Sequence, residues 1–319
     1  MKKIIITGSA GFLGSHLTRK LLAQGHQVIG IDNLSTGRIQ NIEDIFSNPH
    51  FHFIDFNVSD QTIVEMDLLQ DSDEIYHLAS PASPKLYQDA PFETIYVNTI
   101  GTQNMLEIAR KSNSKFLYAS TSEAYGDPEV HPQPEDYRGN VNTWGPRACY
   151  DEAKRLGEVF CYEYHRLFQI QTKVVRLFNT YSAGLRNDDG RVISNFVTQA
   201  LMGEDITVYG DGSQTRSFCY VDDTIRALIR MMELDAATGQ IINIGNPTEH
   251  SILDVALLVK QLTNTTSRIT FHKLPEDDPK VRRPVIDRAT DILGWNPEIS
   301  LEEGLKRTIH TYQEKLALI

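Results

Sequence analysis

Apolar positions along this chain fall into two alternating patterns, short continuous runs and helical repeats. Lys3 to Gly8 (KIIITG) is an apolar run closed by glycine, as in a strand buried on both faces. Between Gly11 and Gly25, Leu13, Leu17, Leu21 and Leu22 recur at helical spacing, and the closing glycine suits a helix C-terminus. Gln27 to Asp32 (QVIGID) predicts a second strand, which completes a β-α-β unit. The alternation continues with strands at His50 to Val58, Glu74 to Ser80, Lys115 to Thr121 and Thr172 to Tyr181. Helical patterns lie at Tyr96 to Ser112 and from Ala148 to about His165. Together these predict an α/β fold with a doubly wound parallel sheet over residues 1–180.

Beyond that point the pattern changes. Ser182 to Val192 is polar and glycine-rich and reads as a loop. A helix is expected over Ile193 to Met202, a short strand at Ile206 to Tyr209 and a final amphipathic helix over Leu301 to Lys315. Tyr220 to Met232 and Ile241 to Asn246 are expected to return to the first lobe as a helix and a strand. The expected division is therefore residues 1–180, with a returning segment at 214–246, and a smaller C-terminal lobe over 181–319 that shares the first lobe's core.

Lys and Arg total 31 against 42 Asp and Glu, a net charge of −11, which argues against broad nucleic-acid binding. The three cysteines, Cys149, Cys161 and Cys219, form no CxxC motif and suit a reducing compartment. With a strand expected from Lys3 and no apolar run of about 18 residues, the expectation is a cytoplasmic protein without a membrane anchor. His131 and the scattered acids lack metal-ligand spacing, so no metal is expected; Asp222 and Asp223 are read as flanking a helix.

Chemistry enters with the first β-α turn. Gly8-Ser9-Ala10-Gly11-Phe12-Leu13-Gly14 is GxxGxxG between strand and helix. Such glycines let backbone approach a pyrophosphate, and the helix N-terminus offers unpaired N–H groups, so the lobe is expected to be Rossmann-type and to bind a dinucleotide. Asp32 ends the second strand, where its carboxylate accepts hydrogen bonds from ribose hydroxyls and repels a 2′-phosphate; this favours NAD over NADP, although Arg38 offsets it in part. Tyr150 and Lys154 are four apart and share a helix face. An ammonium beside a phenol favours the phenolate, which then accepts a hydroxyl proton while hydride leaves the same carbon. Thr121 or Ser122, at the end of the preceding strand, is placed to hydrogen-bond the reacting oxygen. The plain alternative is an exposed Tyr/Lys pair on an amphipathic helix.

The segments TGSAGFLGSH, DNLSTGR, YHLAS, STSEAYG and YDEAK resemble the extended short-chain dehydrogenase/reductase family, which acts on nucleotide sugars with tightly held NAD. A narrower resemblance covers nearly the whole chain and points to the branch that decarboxylates UDP-glucuronate to UDP-xylose. It rests on YHLASPASP, STSEAYGDPEVHPQPEDYRGNVN, GPRACYDEAKR, NDDGRVISNF, ITVYGDGSQTRSFCYVDD, NIGNPTEHSILD and DDPKVRRP. The resemblance implies C4 oxidation, loss of carbon dioxide from a β-keto acid, C5 protonation and C4 re-reduction, with NAD regenerated. By the same resemblance, Thr121, Glu123, Tyr150, Lys154 and Arg282 are the expected catalytic residues, with Arg283 as the register alternative to Arg282. Cofactor contacts are expected at Gly8, Gly11, Phe12, Leu13, Gly14, Asp32, Asn33, Arg38, Asn57, Val58, Leu78, Tyr150 and Lys154. Substrate contacts are expected at Ser122, Asn179, Arg191, Asn195, Tyr209, Arg216 and Arg282.

The family further implies a homodimer through the Tyr96–Ser112 and Tyr150–His165 helices, with Leu106, Ile108, Phe160 and Tyr164 as apolar packing residues facing either the sheet or the partner. Three positions depart from the family pattern: Ser9 for a glycine, Ala124 for a valine and Asn57 for an aspartate. Two other activities stay open. A 4,6-dehydratase usually has an acid where Ser122 stands, and a 4-epimerase must let its keto sugar rotate. A non-catalytic NAD-responsive binding protein is the reading outside enzymes, distinguished by absence of turnover.

Overall fold

The computed structural model describes residues 1–184, 190–274 and 281–317. Its strands are β1 (Lys3–Thr7), β2 (Gln27–Asp32), β3 (Phe51–Asp55), β4 (Glu74–His77), β5 (Lys115–Thr121), β6 (Thr172–Leu177), β7 (Thr180–Tyr181), β8 (Ile206–Tyr209), β9 (Thr215–Ser217), β10 (Cys219–Tyr220), β11 (Ile241–Ile244), β12 (Glu249–Ser251) and β13 (Ile269–His272). The helices are α1 (Phe12–Ala23), α2 (Pro84–Asp89), α3 (Pro91–Tyr96), α4 (Thr102–Ser112), α5 (Ala148–Phe168), α6 (Val192–Met202), α7 (Val221–Glu233), α8 (Ile252–Thr263), α9 (Asp287–Leu293) and α10 (Leu301–Ala317).

Seven parallel strands form the central sheet in the order β11-β6-β5-β4-β1-β2-β3. The chain starts at β1, builds outward to β3, then returns past β1 to β4 and continues to β11. The two halves diverge between β1 and β4, and ligands of such sheets bind at that switch point, beyond the strands' C-terminal ends. Helices cover both faces. α1 and α7 lie on one, over Ile4, Ile6, Val28 and Leu117; α4 and α5 lie on the other, over Ile5, Ile29, Phe116 and Tyr118. This explains the continuous apolar runs, since neither face of the sheet meets water. Smaller strand pairs, β7–β10, β8–β13 and β9–β12, build the C-terminal side of the cleft.

Several elements differ in extent from the sequence expectation. The strand expected over Thr172 to Tyr181 breaks after Leu177, and Thr180–Tyr181 leaves the sheet to pair with Cys219–Tyr220. The helix expected from Tyr96 begins at Pro91 and passes through a π-type turn at Val97–Gly101 before α4. There Thr99 and Thr102 return their hydroxyls to Ile95 O (2.6 Å) and Asn98 O (2.8 Å). Of the segments that carried the family resemblance, Asn187 to Asp189 and Asp277 to Lys280 lie outside the described residues.

Candidate active site

One cavity of about 1110 Å³ opens along the C-terminal ends of the sheet strands. Every cofactor, substrate and catalytic residue expected above lines it. Sequence-distant pieces meet here because parallel strands deliver all their C-terminal loops to one edge.

The dinucleotide end is built by the first turn. Gly8 has φ +71°, and a Cβ on Gly14 would lie 2.0 Å from the Gly8 carbonyl oxygen, so α1 sits directly on the turn. Gly11 precedes α1 without a side-chain cap, which leaves the helix N–H groups facing the cavity. Asp32 is buried, and its carboxylate accepts from the N–H groups of Ala10 (3.0 Å) and Leu34 (2.8 Å). Burial pushes this carboxyl up, and the backbone N–H groups pull it back down in part. A glycine cradle, an open helix N-terminus and an oriented carboxylate are the features a dinucleotide needs, and NAD fits this set.

Two of the departures from the family pattern, Ser9 and Asn57, have local explanations. The Ser9 side chain is fully buried, and its Oγ lies where a Cβ on Gly30 of β2 would come within 2.6 Å. Serine is accommodated because it points into the sheet, at a glycine. Asn57 turns its Oδ1 to the N–H of Ser59 (3.0 Å), fixing the loop after β3. We expect Gly14→Ala to cost about 1–3 kcal/mol through overpacking and to yield protein depleted in NAD. The check is nucleotide released on denaturation, together with the thermal midpoint.

At the other end, α5 presents Tyr150 and Lys154 to the end of β5. Helix and strand are tied together one turn further on. Glu158 accepts from Ser120 Oγ (2.6 Å) and from both arms of the Arg176 fork (2.9 and 2.7 Å), and all three residues are buried. Lys154 Nζ donates to Ala119 O (2.7 Å) and lies 5.0 Å from the Tyr118 ring centroid and 5.9 Å from that of Tyr150. Thr121 Oγ1 accepts from the Glu123 N–H (3.2 Å).

The expected lowering of Tyr150 by Lys154 needs correction. Burial dominates and pushes the Tyr150 phenol above its ordinary range, while a hydrogen bond from Thr121 and the Arg191 charge pull it back in part. Burial also brings Lys154 down to about 7, with the Glu158 charge holding it up. Both groups lose hydration together, so the pair alone does not generate a phenolate.

Glu123 lies between two guanidinium groups. Its Oε2 accepts from Arg147 Nη2 (2.5 Å) and from Arg282 Nη2 (3.3 Å). Burial pushes this carboxyl up, but the Arg282 and Arg147 charges outweigh it and hold the group below the usual range. Arg282 also donates to the carbonyls of Ser122 and Gly126 and is almost fully buried. Its aim is set by the residues that follow it: Arg283 O accepts from the Gln133 backbone N–H, the Arg283 N–H donates to Gln133 Oε1 (2.9 Å), and Asn243 Nδ2 donates to Gln133 O and Val285 O. Arg283 is turned outward, 3.7 Å from Glu249, which also takes His131 at 3.1 Å. Among the described residues there is no group of three or more His, Cys, Asp or Glu that could hold a metal.

Sequence reading missed Arg147 and Tyr87. Arg147 lay inside a quoted segment, but nothing in its spacing marked it. Tyr87 stacks on Tyr150 (ring centroids 4.8 Å, interplanar 5°), and it belongs to α2, a helix too short to leave a periodic signal. Asp151, beside Tyr150, is buried, and its Oδ1 has no hydrogen-bond partner. Burial and the Glu123 charge raise its carboxyl to about 7, against the Arg147 and Arg282 charges. The folded state therefore holds a proton on Asp151 that the unfolded chain releases between its ordinary 3.8 and about 7, and stability falls as pH rises through that window. We expect Asp151→Asn to gain about 2–4 kcal/mol more at pH 8 than at pH 4, read as paired thermal midpoints.

A glycine-cradled nucleotide end facing a tyrosine–lysine pair defines a class of nucleotide-dependent enzymes. The chain belongs to the NAD dependent epimerase/dehydratase family, whose model matches residues 4–245. Among curated relatives, UDP-glucuronic acid decarboxylase 1 of Xenopus tropicalis is 48% identical over 315 residues, covering 99% of this chain and 73% of that protein. The crystal structure of UDP-glucose 4-epimerase with UDP-glucose from Thermotoga maritima matches with TM-score 0.91 at 29% identity, covering 98% of this chain and 99% of that one. The UDP-glucuronic acid 4-epimerase of Bacillus cereus, crystallised with UDP-glucuronic acid and NAD, matches with TM-score 0.88 at 32% identity over the same shares of both chains.

Proposed function

We propose that this protein is an NAD-dependent decarboxylase that converts UDP-glucuronate to UDP-xylose and carbon dioxide. The observation that carries this reading is the excess positive charge beside Tyr150, where Arg147 and Arg282 share the single carboxylate of Glu123. A uronate, alone among the common nucleotide hexoses, brings a carboxylate to neutralise it. The curated relatives carry the matching name.

NAD, held along Gly8–Gly14 and Asp32, supplies the oxidant that makes C4 a ketone and the reductant that restores the alcohol. Tyr150 Oη takes the C4 hydroxyl proton and gives it back at the end. A C4 ketone makes the acid a β-keto acid, so the C5–C6 bonding pair passes onto the C4 oxygen as carbon dioxide leaves. Tyr150 and Thr121 hydrogen-bond the enolate oxygen, and Lys154 adds positive charge behind them. Glu123 is ionised, so it positions the sugar and the proton-carrying water that serves C5. Ser122 has no acidic proton for a departing hydroxyl, which disfavours dehydration. Asn179, Arg191, Asn195, Tyr209 and Arg216 line the far end of the cavity and hold the uridine diphosphate. Residues 1–180, with 214–246 returning, thus carry the cofactor, and 181–319 mainly the nucleotide sugar.

In heavy water the product is expected to be UDP-xylose with one deuterium at C5, seen by proton NMR. A C4-inverted uronate of unchanged skeleton would instead support the epimerase reading, and bound NAD without any turnover the binding-protein reading.

The same reading extends to assembly and compartment. Leu106 and Ile108 turn to the chain's own sheet, as does Tyr164, with Phe160 packed beside them. Leu156, Val159 and Tyr162 of α5 and Phe92 and Tyr96 of α3 are exposed and make an apolar face suited to a second copy of the chain. A two-chain mass by sedimentation is expected, reduced to one chain by Val159→Glu. The three free cysteines suit the cytoplasm, and among the described residues no helix is long and apolar enough to cross a membrane.

A further inference from the structure

We propose, resting on the decarboxylase reading above, that Arg147 is a second ligand of the substrate's carboxylate and that Glu123 is its placeholder, holding the guanidinium until that carboxylate arrives. The two arginines beside Glu123 differ in freedom. Arg282 is 2% exposed, and its N–H groups are committed to the carbonyls of Ser122 and Gly126 as well as to Glu123. Turning it toward a ligand strands two buried carbonyls, which is unfavourable. Arg147 stands just before α5 and lines the cavity. Among the described residues its guanidinium donates to Glu123 alone, at 2.5 Å, and no backbone carbonyl pins it.

What else holds Arg147 is non-directional. Its guanidinium carbon lies 6.0 Å from the centroid of the Tyr87 ring, and that ring stacks on Tyr150. A π face attracts a cation without fixing its hydrogen-bond directions. Arg147 can therefore rotate over Tyr87 while staying beside the residue that handles C4. Glu123 is the anion that acts on it, whereas Asp151 keeps a proton up to about pH 7 and its Oδ1 has no hydrogen-bond partner.

The exchange answers a difficulty in the chemistry. A carboxylate gripped by a fixed guanidinium fork is stabilised in the ground state, and that stabilisation is lost as carbon dioxide departs, which raises the barrier. If the carboxylate must first displace Glu123 from Arg147, one ion pair replaces another and the ground state gains little. When the C5–C6 bond breaks, its electron pair moves onto the C4 oxygen, neutral carbon dioxide leaves, and Glu123 recovers Arg147. The two arginines and one glutamate carry a net charge of one positive unit before and after. Orientation is gained without a grip that opposes the reaction.

The test compares two ligands that differ by the carboxylate. In a Tyr150→Phe background, which stops turnover, UDP-glucuronate and UDP-xylose are titrated calorimetrically into the NAD-bound protein. Where Glu123→Gln has removed the competing carboxylate, adding Arg147→Met is expected to weaken UDP-glucuronate about 10–100-fold, the scale of a charged hydrogen bond, and to move UDP-xylose less than about threefold; with Glu123 in place the same substitution is expected to cost less, because the pair lost after binding is matched by the pair lost before it. Glu123→Gln by itself is expected to tighten UDP-glucuronate about threefold to tenfold, because the placeholder no longer competes. An Arg147 that merely supports the loop weakens both ligands alike, and that result overturns the proposal, as does unchanged UDP-glucuronate affinity when Arg147→Met is added to Glu123→Gln. If Arg147→Met fails to fold, the Glu123→Gln arm decides: tightening supports the exchange and its absence overturns it. Failure of the underlying reading is separate, since it appears as unsubstituted protein that forms no UDP-xylose from UDP-glucuronate.

Discussion

Tyr150→Phe is expected to lower kcat on UDP-glucuronate by about 10²–10⁴-fold, the range of a lost general acid–base, with NAD still bound. The ring is buried against Tyr87, and phenylalanine keeps that stack, so the substitution removes the hydroxyl and little else. In the proposed mechanism the hydroxyl has two tasks. It moves the C4 proton at both ends of the cycle, and it hydrogen-bonds the enolate in between. Because all stages share it, no keto sugar should accumulate in the variant. Steady-state turnover with NAD content measured in parallel checks this. Turnover within about threefold of the parent, far from any general-base effect, would remove Tyr150 from the reaction.

Lys154→Met should cost about 10²–10³-fold, and its pH profile says more than its rate. In the proposed mechanism the active form needs a charged Lys154 and an ionised Tyr150. In the free enzyme Lys154 loses its proton near 7, well below the Tyr150 phenol, which burial raises. Below about pH 7 each unit of pH increases the phenolate without loss of ammonium, so kcat/KM rises. Above it, every gain in phenolate is matched by a loss of ammonium, and the profile levels. Methionine removes the second titration, so the variant's kcat/KM should keep rising where the parent has flattened. Parallel profiles through neutral pH would mean that the Lys154 charge has no part in the step.

Much of this geometry was legible in the sequence because repeating physics sets it. The buried strands β2 and β5 begin and end where their apolar runs do, since each must be dry along its length. The glycine turn and Asp32 were readable from position within one β-α-β unit. What failed to show had no repeating signal. β7 breaks from β6 because Thr180 and Tyr181 find a different partner, Cys219 and Tyr220, a tertiary preference with no local trace. α8 was overlooked although Ser251 caps it, its hydroxyl accepting from the Asp254 N–H at 3.0 Å. Its apolar stripe is continuous enough to read as a strand or a helix.

The candidate site divides in the same way. Tyr150 and Lys154 could be read because a four-residue spacing fixes a shared face on any helix. Arg147, Tyr87 and the Glu158–Arg176 fork could not, since each depends on which loop folds over which strand end. The direction of the Tyr150 shift was misread for a related reason. Spacing places the ammonium near the phenol but carries no information on how much water either keeps.

The most direct measurement is to incubate the purified protein with excess UDP-glucuronate and a small amount of NAD, and to follow nucleotide sugars by mass spectrometry. The expected result is loss of the mass of carbon dioxide, many turnovers for each NAD and a product that co-elutes with UDP-xylose, because one site takes up and returns the same hydride. Decarboxylation that halts after one equivalent of NAD, leaving the 4-ketopentose and NADH, would contradict the closed cycle. Complete retention of the substrate's mass would contradict decarboxylation itself.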